Sequence, residues 1–102
     1  DMEERYRLIM STIFRALGFR VEVERMLATG RIDMIVEVPS IIYVLELKLS
    51  NNGGISAAES QIKDKSYTEP FKADKRKVIA LAVELDETGK GLIDWKEVDE
   101  GV

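Results

Sequence analysis

Apolar positions recur along the first part of the chain with a helical period. Tyr6, Ile9, Met10, Ile13, Phe14 and Leu17 share one face at the i, i+3, i+4, i+7 spacing, which predicts an amphipathic helix over residues 3–17. Gly18 follows where a left-handed residue suits a helix end. The period then shortens to two. Phe19, Val21 and Val23 alternate with Arg20, Glu22 and Glu24 before the break at Ala28-Thr29-Gly30, as in a half-buried strand. Ile32, Met34, Val36 and Val38 alternate with Asp33 and Glu37 up to Pro39-Ser40, and Ile41 to Leu49 forms an apolar, β-branched run. These two segments read as a hairpin. After Asn51-Asn52-Gly53-Gly54, the stretch 56–69 is rich in Ala, Glu, Gln and Lys and predicts a second helix, with Ala58, Ile62 and Tyr67 inward. Val78 to Val83 is apolar at every position, the mark of a strand covered on both faces. A last short strand is expected over Leu92–Val98. The order αβββαβ(β) points to an α/β protein with a central mixed sheet and helices on both faces, a three-layer α/β/α architecture.

Composition narrows the chemistry sharply. The 102 residues contain neither His nor Cys, which removes imidazole bases, thiol nucleophiles, disulfides and the usual zinc sites. What remains is carboxylates, Lys, hydroxyls and hard cations bound through oxygen. Length and a 33% charged composition fit one globular domain, 1–102. No apolar run reaches the ~20 residues of a membrane span, so a cytoplasmic protein without membrane contact is expected. A chain opening on Asp1 is expected to be a fragment of a longer protein. Residues 1–83 carry 13 basic and 12 acidic side chains, so the net charge of −4 arises in the last fifth. Lys63, Lys65, Lys72, Lys75, Arg76 and Lys77 crowd one stretch, diluted by Asp64, Glu69 and Asp74. They make either a solvated surface or a phosphate-facing patch.

The hairpin holds the informative residues. Glu46 and Lys48 are two apart and share a face of their strand, while Tyr43, Leu45, Leu47 and Leu49 occupy the other. If the hairpin closes symmetrically around Pro39-Ser40, partner numbers sum to 79 and Asp33 lies opposite Glu46. Facing carboxylates repel unless a positive charge sits between them. Lys48 is one source of that charge. A hard divalent cation is another, because Mg²⁺ is commonly held by one or two carboxylates with the rest of its shell left to water and substrate. A surface ion-pair cluster would use the same residues.

The string Gly30-Arg31-Ile32-Asp33, then Tyr43 to Leu49 with Glu46-Leu47-Lys48, then Gln61-Ile62 and Tyr67 resembles the PD-(D/E)XK nuclease superfamily. Within it the likeness is to nuclease-like domains that follow AAA-ATPase-like domains in bacterial proteins, and Ile93-Asp94-Trp95 fits that group. The resemblance implies a restriction-endonuclease-like fold and Mg²⁺- or Mn²⁺-dependent phosphodiester hydrolysis. DNA is the more expected substrate than RNA, and an ATPase-like domain is a possible partner. It implies metal ligation by Asp33, Glu46 and the Leu47 carbonyl, with Glu3 as a further acidic ligand. Lys48 would orient or deprotonate the attacking water, and Gln61 and Tyr67 would position water or phosphate. Arg31 stands near the place of the superfamily's nominal Pro. A catalytically silent module that docks to an ATPase-like domain or another protein is the alternative the resemblance leaves open.

Other roles are available to several of these residues. Glu3 and Glu4 suit the positive end of the first helix, Gln61 a solvent-facing helix position, Tyr67 a core site with its hydroxyl at the rim, and Trp95 packing rather than base stacking. Glu24 either neighbours the site across the sheet or faces solvent, and Arg31 could neutralise phosphate or pair with Glu24 or Glu37.

Overall fold

A computed structural model describes residues 1–99; residues 100–102, the end of the expected domain, lie outside the described residues. Helix α1 spans Met2–Ala16, followed by strands β1 (Arg20–Leu27), β2 (Gly30–Glu37) and β3 (Ile41–Leu49). Helix α2 (Gly54–Lys65) leads through short helical turns to β4 (Lys77–Leu85) and β5 (Leu92–Val98). The sheet order is β1-β2-β3-β4-β5, antiparallel throughout except for the parallel β3–β4 pair. A parallel pair requires a crossover, and α2 supplies it.

Strand alternation distributes the core over both faces. Ile42 and Val44 pack with Ala58 and Ile62 of α2, while Leu45 and Leu47 pack with Tyr6 of α1. The expected α/β/α layering is therefore the observed one. Among the described residues no helix is long and apolar enough to cross a membrane.

Helix α1 sits differently from its expected stripe. Asp1 caps it by accepting a hydrogen bond from the Glu4 amide at 2.8 Å, and Gly18 follows its end with φ +93°. The buried residues are Tyr6, Arg7 and Ser11, with Met2, Met10 and Phe14 packed beside them. Ile9, Ile13 and Leu17 are exposed. The helix is rolled so that the line through Glu3 and Arg7 turns toward the sheet, where Arg7 meets the carboxylates of Glu24 and Asp33.

Two further expectations change. Helix α2 ends at Lys65 rather than near 69, because Ser66 adopts a left-handed conformation, φ +50°. Tyr67 thus lies beyond the helix, fully buried in the α2-side core. Trp95 does not pack inside: it is 58% exposed on the edge strand β5.

The start of α2 is held from the sheet. Glu84 of β4 accepts from Ser50 Oγ at 2.6 Å and from the Ile55 amide at 2.9 Å, so it caps the helix in place of a local side chain. Gly54, at φ +56°, lies so close that a Cβ there would stand 2.5 Å from Glu84 Oε1.

Candidate active site

The site forms where β2 and β3 part. Their register follows the symmetric hairpin from Glu37↔Ile42 through Val36↔Tyr43 and Ile35↔Val44 to Met34↔Leu45, and pairing ends there. At the next position the Asp33 carboxylate takes over from the backbone: its Oδ2 accepts from the Leu47 amide at 2.9 Å. On the other flank, the β1–β2 ladder passes from Val23↔Met34 to Arg25↔Ile32 without a Glu24–Asp33 bridge, and Glu24 has φ +55°. Alternation slips at the same point, since Ile32 packs on the α2 side together with Ile35, three residues away. Next to this irregularity Asp33, two residues before Ile35, lies inward beside Glu46.

Asp33 is 2% exposed and Glu46 1%. Burial first, then the charge of Asp33 and a hydrogen bond with it, push the Glu46 carboxyl well above its ordinary range; Lys48 acts in the opposite sense. Lys48 Nζ stands 3.8 Å from Glu46 Oε2. Glu46 Oε1 is buried with no hydrogen-bond partner, an arrangement that costs free energy unless something positive or donating fills the gap.

Around the pair lies an open cleft of about 420 Å³ whose walls include Glu3, Arg31, Asp33, Glu46, Lys48 and Gln61. Glu3 is raised above its usual range, by partial burial first and then by Asp33, with Lys48 and two arginines opposing. Among the described residues, however, no three acidic side chains converge as a ready-made ligand set. Glu3 borders the pair without joining it. Gln61 Nε2 donates to the Tyr67 hydroxyl at 3.0 Å, and that hydroxyl donates to the Arg31 carbonyl. Burial pushes the Tyr67 hydroxyl up to about 12, so it stays protonated and serves as a donor. Gln61 therefore faces the cleft, while Tyr67 is a core residue that fixes the backbone two positions before Asp33.

Sequence reasoning passed over Arg7. Only 6% exposed, it places Nη2 2.8 Å from Glu24 Oε1 and Nη1 3.9 Å from Asp33 Oδ1. Its signal was its place one turn after Glu3, so any rotation that brings Glu3 to the site brings Arg7 as well. Glu24 does neighbour the site, through its pairs with Arg7 and Arg31. Half of the basic stretch is engaged internally: Lys63 pairs with Glu59, Lys72 with Glu69, and Arg76 with Asp74 and Glu37.

A sheet that opens to seat two buried acids with a lysine alongside defines an α/β domain of the restriction-endonuclease-like class. Residues 1–95 match the family model of the PD-(D/E)XK nuclease superfamily, and the chain belongs to that superfamily. It is also similar to an uncharacterized protein in the vnfD 5′ region of Azotobacter chroococcum mcd 1, 30% identical over 90 residues. That stretch is 88% of this chain and 17% of the relative, so the chain spans about a sixth of that protein's length. No solved structure matches.

Proposed function

We propose that the domain hydrolyses phosphodiester bonds of nucleic acid, DNA in the first instance, with Mg²⁺ or Mn²⁺ held by Asp33 and Glu46. The observation that carries this reading is the buried, unpartnered Oε1 of Glu46 next to a second buried carboxylate. Two oxygen donors, one of them lacking any partner, suit a hard cation better than they suit each other. The Leu47 carbonyl would complete the protein's share of ligands, with Glu3 in the cleft wall as an outlying acid that would have to move to join them.

Bound there, the cation supplies Lewis acidity and positive charge at the scissile phosphate. The chain's own residues do the rest. The Leu47 amide fixes the Asp33 carboxylate, and Tyr67, itself hydrogen-bonded to Gln61, fixes the strand that carries it. Lys48 Nζ, 3.8 Å from Glu46 Oε2, would orient the attacking water and donate a hydrogen bond to a phosphoryl oxygen as charge develops.

The test is cleavage of single- and double-stranded DNA and RNA in Mn²⁺ by the wild type, Lys48→Ala and Asp33→Ala. Loss of a proton-handling group costs about 10²–10⁴-fold, so Lys48→Ala should fall by that order and Asp33→Ala at least as far. Equal rates in wild type and Lys48→Ala would overturn the assignment.

A further inference from the structure

Two guanidinium groups occupy the flank of Asp33 that faces away from Leu47, and they differ in freedom. Arg7 is buried, with Glu24 at 2.8 Å and Asp33 Oδ1 at 3.9 Å. Arg31 reaches the same Oδ1 with Nη2 at 3.6 Å and Glu24 Oε2 with Nη1 at 3.4 Å, yet its side chain is 42% exposed. Both of its carboxylate contacts are long for charge-assisted hydrogen bonds, which close to about 2.7–2.9 Å. Its backbone is pinned, because the Arg31 carbonyl accepts from Tyr67, so only the side chain is free to swing. Arg31 also lines two adjoining depressions. One is the cleft with Glu46, Lys48 and Gln61, and the other is bounded by Glu4, Asn51 and Asn52.

We infer that Arg31 is an exchangeable ligand: its guanidinium occupies Asp33 in the metal-free protein and passes to a nucleic-acid phosphate once a divalent cation has taken Asp33. The inference rests on the proposed metal site and adds to it the residue that couples cation binding to substrate binding. Arg7 remains with Glu24 in both states, so the acid at the sheet's irregular point keeps a counter-charge. Arg31 loses one of its two carboxylate partners when the cation neutralises Asp33, and the other, Glu24, is held more closely by Arg7. A guanidinium released at the mouth of the cleft matches a phosphate in charge and in its forked donor geometry.

Calorimetric titration of Mn²⁺ into the protein without nucleic acid tests the first half. Arg31→Gln removes a competitor for Asp33 and should bind Mn²⁺ several-fold more tightly than the wild type. The second half is read by fluorescence anisotropy on duplex DNA in Ca²⁺, with strand integrity checked on a gel. Here Arg31→Gln should lose about tenfold in affinity, and its salt dependence should fall by about one phosphate contact. Arg31→Lys keeps the charge and should retain the wild-type salt slope. Unchanged or weaker Mn²⁺ binding by Arg31→Gln overturns the exchange, as does wild-type DNA affinity in that variant or a Lys variant that loses the salt slope as Gln does. A wild type that binds no Mn²⁺ removes the metal site and the exchange together. Normal Mn²⁺ binding that is indifferent to Arg31 removes the exchange alone.

Discussion

Glu46 is the residue at which folding and chemistry oppose each other. Its side chain is nearly inaccessible, with one oxygen unpartnered and a second carboxylate adjacent, an arrangement that destabilises the empty protein. Glu46→Gln keeps the shape and places an amide donor against Asp33. Without metal it should stabilise the domain by roughly 1 kcal/mol in denaturant unfolding, while abolishing any stabilisation by Mn²⁺. Tyr67→Phe should act in the other direction. It removes the donor to the Arg31 carbonyl and the acceptor for Gln61, costing roughly 1–2 kcal/mol in the same measurement. At this scale the convergence of Asp33, Glu46 and Lys48 was legible because a two-residue period and one symmetric turn, kept as far as Met34↔Leu45, fix which side chains meet, while their roles came only from the family resemblance. Arg7 and the pairing of Glu24 were not, because the polarity of an arginine on a helix predicts solvent and its burial depends on carboxylates 17 and 26 positions further along.

Among the elements, α2 shows how tertiary contacts set a boundary. Its first turn is fastened by Glu84, and the Ser50 hydroxyl followed by the Ile55 amide hold that carboxyl below its usual range. A carboxyl lowered on folding contributes stability that is present above its unfolded value near 4.5 and is lost as pH falls through the folded value. Urea midpoints should therefore decline as pH falls below about 4.5, and Glu84→Gln should reduce that decline. A variant as acid-sensitive as the wild type would show that Glu84 does not cap the helix. The pattern of the chain revealed the helix's existence but not this cap, since its donors and acceptor are about 30 residues apart. Helix α1 was found at nearly its observed limits with the wrong roll: the apolar stripe named Ile9, Ile13 and Leu17 as inner residues, whereas they face outward and Arg7 faces in toward Glu24.

For the molecule as a whole, the site is a junction. Residues of α1 (Glu3, Arg7), β1 (Glu24), β2 (Arg31, Asp33), β3 (Glu46, Lys48) and α2 (Gln61) meet there, whereas β5 is remote at the opposite sheet edge. Ligand binding stabilises the native state by mass action, and the local share of that gain falls on segments the ligand ties together. Hydrogen exchange in Mn²⁺ should slow in α1 and β1–β3 and change least in β5, with Asp33→Ala erasing the difference. The layer order and the mixed character of the sheet followed from a fully apolar strand after a helix, whereas the particular parallel pair, β3 with β4, was not specified by the pattern.

The early end of the β2–β3 ladder fixes how the acids can respond to an ion. Each wall of the opening is a strand braced from outside, β2 by β1 through Leu27↔Gly30 and β3 by β4 along its full length. The aperture is thus shaped by the flanking strands, and at the proposed cation site discrimination would fall to radius and to the ease of shedding water rather than to closure of the protein around the ion.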